Sequence, residues 1–119
     1  MKEQSRKFLK ILKIELEDLE EDIICLEELY KDRENRGEIS HYVLLENSTL
    51  LKNEQSAIQN IIASLAEFDI SGSGDLQELT AKLETHLSET IKKYNYPDSV
   101  FIFVKRRLYK VKKYMEEVV

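Results

Sequence analysis

Apolar side chains recur at alternating three- and four-residue steps through the first thirty positions: Leu9, Leu12, Leu16, Leu19, Ile23 and Leu26, with Tyr30 next in line. A mean step of about 3.5 residues keeps such a stripe on one face of a helix and asks for a partner helix. The same spacing returns at the other end of the chain in Phe101, Val104, Leu108, Val111, Met115 and Val118. Between them, Leu44, Leu51, Ile58 and Leu65 fall seven apart, and Leu76, Leu79, Leu83, Leu87 and Ile91 form a fourth stripe.

Punctuation residues divide these stripes into helices over about 2–32, 39–68, 75–94 and 97–118. Gly37 follows the polar stretch KDRENRG and tolerates the left-handed backbone that ends many helices. Ser73 or Asp75 in DISGSGD caps the third helix by accepting its orphan N–H bonds. In YNYPD the residue before Pro97 is pushed out of helical geometry, and Pro97 itself suits the first turn of the fourth helix. Short connections favour antiparallel neighbours, so residues 1–119 read as one all-α domain, a four-helix antiparallel up-and-down bundle. At ~1.5 Å per residue the first two helices reach about 45 Å and the last two about 30–35 Å. The helix-1/helix-2 hairpin is therefore expected to protrude, with Tyr30 to Leu45 at its tip.

Composition supports this. Apolar residues make up 42% and charged residues 34%, with three glycines and one proline, which leaves little turn chemistry for a many-stranded fold. The longest apolar runs are four residues, such as Tyr42 to Leu45, too short to span a bilayer, and no secretory signal follows MKEQSRKFLK. Cys25 is alone, so no internal disulfide or thiolate metal cluster forms, and a cytoplasmic protein without cofactor or metal is the expectation. Cys25 itself reads as a buried or half-buried helix residue.

The net charge of −5 is unevenly laid out. Glu15 to Glu28 holds eight acidic residues and no basic one, whereas Lys105 to Lys113 holds six basic residues and no acidic one. Antiparallel packing of the first and fourth helices sets Lys105 to Arg107 near Glu15 to Asp18, and Glu116 and Glu117 near Lys2, Arg6 and Lys7. It leaves Lys110, Lys112 and Lys113 beside Lys10 and Lys13, without an internal partner, as candidate anion-binding residues. With Tyr109 and Tyr114 for stacking, they support a nucleic-acid-binding alternative.

Candidate chemistry is sparse. In RGEISH, Arg36 and His41 are spaced R-x4-H, which resembles the active-site motif of HEPN-type helical ribonucleases. That resemblance implies a metal-independent ribonuclease in which Arg36 stabilises a phosphorane and His41 relays a proton. The family tends to place a polar residue after the arginine, where this chain has Gly37. Glu38 and His41 form one E-x-x-H, but His86 has Leu83 at that offset, so the ligand set of a di-iron bundle is incomplete. The run ELEDLEED lacks the facing acidic cluster that a magnesium-dependent pyrophosphatase bundle needs.

The reading that remains is non-enzymatic: an intracellular adaptor, chaperone-like or regulatory protein acting by helix packing on a protein partner. Its surface is expected at the hairpin tip, in Tyr30, Arg33, Arg36, Ile39, His41, Tyr42 and Val43. Phe8, Ile11, Ile14, Ile24 and Leu29 widen the apolar face of the first helix, which points to a homodimer.

Overall fold

The computed structural model describes residues 2–72 and 74–118, and among them the chain is helical throughout, with no strand. The helices are α1 (Lys2–Asn35), α2 (His41–Leu65), α3 (Leu76–Lys93) and α4 (Asp98–Val118). Each end has a local cause. Helix α1 closes in a Schellman turn: Gly37, at φ 74°, donates to the Glu34 carbonyl and Glu38 donates to that of Arg33. The α3 end repeats the motif without glycine. Asn95 sits at φ 53° and donates to the Lys92 carbonyl, and Tyr96 donates to that of Ile91. The break that YNYPD signals is thus made by the left-handed Asn95 as well as by Pro97.

Ser40 caps α2 by accepting from the Val43 N–H, and Asp75 caps α3 by accepting from that of Glu78 at 2.8 Å. The Glu78 carboxylate reaches back to the Gly74 N–H at 2.9 Å, and a Cβ on Gly74 would meet it at 2.8 Å, so a larger residue there would displace that carboxylate. Ser73, the other cap candidate, lies outside the described residues. Helix α2 stops at Leu65 rather than Phe68 because residues 66–68 tighten into three-residue turns, with Phe68 donating to the Leu65 carbonyl. The connection from α2 to α3 is held down further on, where Ser71 donates twice to Asp69 and Lys82 donates to the Gly72 carbonyl.

The four helices pack as a bundle. Helix α1 lies along α2 and against α4, α3 lies along α4, and α2 touches α3 and α4 more lightly. The radius of gyration is 16.6 Å, against about 13–14 Å for a compact chain of this length. The long axis of 54 Å matches the ~51 Å expected of the 34-residue α1.

The core joins Phe8, Leu12, Leu16, Leu19 and Ile23 to Leu51, Ile58, Ile61 and Leu65, to Leu79, Leu83, Leu87 and Ile91, and to Val100, Val104, Leu108, Val111 and Met115. Most of each predicted stripe is therefore buried. The departures lie at stripe ends, where the neighbouring residue points more squarely inward. Phe8 takes the place of Leu9, Val100 that of Phe101, and Val118 faces solvent. Two departures on α1 matter more. Leu26 is 44% exposed although it continues the stripe, because no described α1 residue beyond Ile23 is buried. Cys25 is exposed rather than buried, since it lies off the line of Leu12, Leu16, Leu19 and Ile23.

This uneven core has a measurable consequence. Leu83→Ala, at a fully buried position, should cost about 2–5 kcal/mol. Leu26→Ala, on the same kind of sequence stripe, should stay within about 0.5 kcal/mol. Urea unfolding followed by circular dichroism reads the difference.

Candidate functional site

The charge stripes of α1 and α4 meet. Arg107 places one guanidinium nitrogen 2.9 Å from Glu15 and the other 3.3 Å from Asp22, and Lys110 lies 3.1 Å from Glu15. Burial pulls the Glu15 carboxyl up, but hydrogen bonds from Arg107 and Lys110 outweigh it and hold the group below the usual carboxylate range. Lys110 was expected to lack an internal partner. It has one because its side chain reaches the same carboxylate that Arg107 binds.

Lys105 turns to α3, 3.1 Å from Glu84, which also accepts from the Tyr109 hydroxyl at 2.7 Å. The hydrogen bonds from Tyr109 and Lys105 lower the Glu84 carboxyl, and the same bond to Glu84 raises the Tyr109 phenol. Lys112 pairs along its own helix with Glu116 at 3.7 Å. The Lys2 side chain lies outside the described residues. Of the six cations on α4, Arg106 and Lys113 form no ion pair among the described residues. A strip so largely neutralised presents few free charges to a polyanion.

At the junction of α1 and α2 the predicted site residues do come together, held by carboxylates. Arg36 lies 3.0 Å from Asp32 and 3.9 Å from Glu38, Arg33 lies 3.3 Å from Glu38, and His41 Nδ1 lies 3.0 Å from Glu34. Asp32, Glu34 and Glu38 thus occupy the two side chains that an R-x4-H ribonuclease keeps for its phosphate. Tyr30 and Ile39 are half-buried, Tyr30 packing on the core. Tyr42 is 74% exposed, and Val43 is exposed as well.

Sequence reasoning missed a wider feature. Positions seven apart lie nearly in line along a helix, so Glu15, Asp22 and Leu29 share one line on α1, and Val43, Leu50 and Ala57 share one on α2. The lowest members are covered, Glu15 by Arg107 of α4 and Ala57 by full burial, while Asp22 reaches Arg107 from an exposed position at the edge. The upper members are not, with Leu29 and Leu50 each 48% exposed. Leu12, Leu19 and Leu26 repeat the pattern, buried twice and then open. The face on which α3 and α4 pack therefore continues, apolar and uncovered, along the upper part of α1 and α2. The heptad signal of Val43, Leu50 and Ala57 was present in the sequence, but nothing there marked where coverage stops.

At that boundary Glu54 is only 7% exposed, and its carboxylate has no hydrogen bond or ion pair among the described residues. Desolvation raises its pKa. A second buried acceptor, Glu27 Oε1, also lacks a partner.

A separate groove of about 430 Å³ opens between α2 and α3, lined by Asn60, Ser64, Glu67, His86, Thr90 and Lys93 among others. Ser64 Oγ donates to the Ile61 carbonyl at 2.7 Å and lies 3.1 Å from His86 Nε2. Ser64 thus lies between a carbonyl of its own helix and the imidazole, which packs edge-on against Phe68. The pair joins α2 to α3 across the seam. No group of three or more metal-ligating side chains gathers among the described residues, and no helix is long and apolar enough to cross a membrane.

Comparison with protein-family models, with curated proteins and with solved structures finds no match to this chain.

Glu54 offers a test of the boundary. Because its folded pKa is raised, the native state binds the proton more tightly than the unfolded chain does. Its charge is harmless below the ordinary carboxylate range and destabilising once the pH exceeds the raised value. Glu54→Gln should raise the melting temperature at pH 7, with the gain shrinking as the pH falls through the carboxylate range. Thermal melts at a series of pH values check both.

Proposed function

We propose that this chain is a non-enzymatic adaptor or regulatory protein that engages another protein by helix packing. In this reading the four helices run antiparallel, up and down. The α1–α2 hairpin reaches past α3 and α4 and presents its upper face to the partner. The observation that carries it is the continuation of one packing face, covered at Ala57 and Glu15 and open at Leu26, Leu29, Val43 and Leu50. Exposed apolar residues aligned in this way along two adjacent helices are what helix-in-groove recognition uses.

Homodimerisation is a narrower form of the same reading. Its sequence basis was the width of the apolar face of α1. Phe8 and Ile11 of that face are taken up by a single bundle, Ile24 is half-buried, and Ile14 and Leu29 are left to a second molecule. Of these two, Leu29 lies on the proposed upper face and Ile14 lies below Ile23.

Polar substitution at the tip tests the proposal. Ile39→Ser combined with Val43→Ser should leave helix content unchanged and remove a co-purifying partner or reduce the solution mass measured by light scattering. If neither changes, the tip is not an interface. Clean wild-type protein should also leave varied RNAs intact. RNA cleavage that disappears in His41→Ala would replace this reading with the ribonuclease.

A further inference from the structure

The chain is electrically polarised. From Glu17 to Glu54, the second half of α1 and the first half of α2, the sequence carries twelve carboxylates against Lys31, Arg33, Arg36 and Lys52, a balance of −8, of which Glu17 to Asp22 at the lower edge of the open face supply −5 and residues 24–54 supply −3. The remaining residues balance to +3, which together give the −5 of the chain. The uncovered apolar face lies within the acidic part, so whatever covers it meets negative charge around a leucine-rich centre.

The molecule already holds one example of what such a face accepts. Helix α4 buries Val100, Val104, Leu108, Val111 and Met115 on a single stripe, while Arg107 beside that stripe bridges Glu15 and Asp22 of α1. It is a basic amphipathic helix lying on the acidic, apolar face of α1. Above it the same face repeats the pattern with no helix in place. Asp22 keeps 69% of its side chain exposed and so has acceptor capacity left. Glu54 is a buried residue whose carboxylate has no cation paired with it among the described residues.

We infer that the face built from Leu26, Leu29, Val43 and Leu50, with Asp22 and Glu54 at its lower edge, receives a basic amphipathic helix of another protein. The inference rests on the adaptor reading and specifies the chemistry of its partner. Area makes any contact here a small one. Beyond Ile23, α1 extends by 12 residues, about 18 Å, and two adjacent helices are about 20 Å across. Two such faces would together bury roughly 700 Å², below the ~1,200 Å² of a stable interface. Charge argues against a second copy, because tip-to-tip pairing would bring two acidic regions together, whereas a basic helix gains from the field and associates faster. A contact of this size is transient and salt-sensitive.

Two synthetic 21-residue peptides test this against the full-length protein. Both carry leucines at three-four spacing, one with lysine and arginine at the flanking positions and the other with glutamate and aspartate. Fluorescence anisotropy should show the basic peptide binding at least about tenfold more tightly, a difference of ~1.4 kcal/mol, and weakening as salt is raised. Leu29→Asn combined with Leu50→Asn leaves the charge unchanged and should reduce that affinity by about tenfold or more, which separates recognition of the face from general attraction to an acidic protein. Protection from amide exchange should centre on residues 24–35 and 41–54. Equal affinity for the two peptides, or binding indifferent to the double asparagine variant, overturns the inference. If that variant instead abolishes a self-association seen by light scattering, the adaptor surface stands and its occupant is a second copy. If the variant changes neither peptide binding nor solution mass, the surface itself falls along with the inference.

Discussion

Inequality of helix length is the constraint on which the rest of this structure depends. Helix α1 has 34 residues and α2 has 25, whereas α3 and α4 have 18 and 21. A core shared by four helices extends only as far as the shortest of them allows, and on α1 burial ends at Ile23. In a protruding hairpin, as proposed above, two helices have only each other beyond that level. A pair of helices buries one stripe per helix, so apolar residues on the flank that α3 and α4 cover below are left open above. Leu26, Leu29 and Leu50 are exposed for this reason, though their sequence context resembles that of the core.

Charge is organised around the same boundary. Below it, the acidic flank of α1 is balanced by α4 through Arg107 and Lys110, with Glu15 shared between them. These half-buried contacts tie the register of α1 and α4 more firmly than exposed pairs do, since the carboxylate sits where screening is reduced. Above the boundary the counter-charges are local, with Arg33, Arg36 and His41 facing Asp32, Glu34 and Glu38 across the turn. These pairs are exposed and hold the turn only weakly. The same arginines that resemble a ribonuclease motif on paper are, in three dimensions, part of how α1 joins α2.

The groove between α2 and α3 is a light seam of the bundle, and several of its polar side chains bond one another. Ser64, His86 and Phe68 form a chain of contacts, and Asn60 donates to the Tyr96 hydroxyl at 2.6 Å. The amide-rich character of α2 has a physical role here and on its other flank, where Gln59 donates to Glu20 of α1 at 2.6 Å. Polar contacts let α2 lie beside its neighbours without a continuous apolar seam, consistent with its lighter contact with α3.

Local physics in the sequence determined the helices and their ends: the 3.5-residue stripes, Gly37 in a left-handed turn, Asp75 as a cap, and the break at YNYPD. These depend on residues within a few positions of one another, so they are legible along the chain. It also determined the separation of charge between α1 and α4. Tertiary structure alone decided which members of a stripe are covered, because burial at Leu19 and exposure at Leu26 differ only in whether another helix reaches that level. It decided that Lys110 shares Glu15 and Lys105 turns to Glu84, since a long side chain chooses among carboxylates on two helices. It left Glu54 buried without a cation and Cys25 facing solvent, outcomes fixed by the level and angle at which α3 and α4 meet the longer pair.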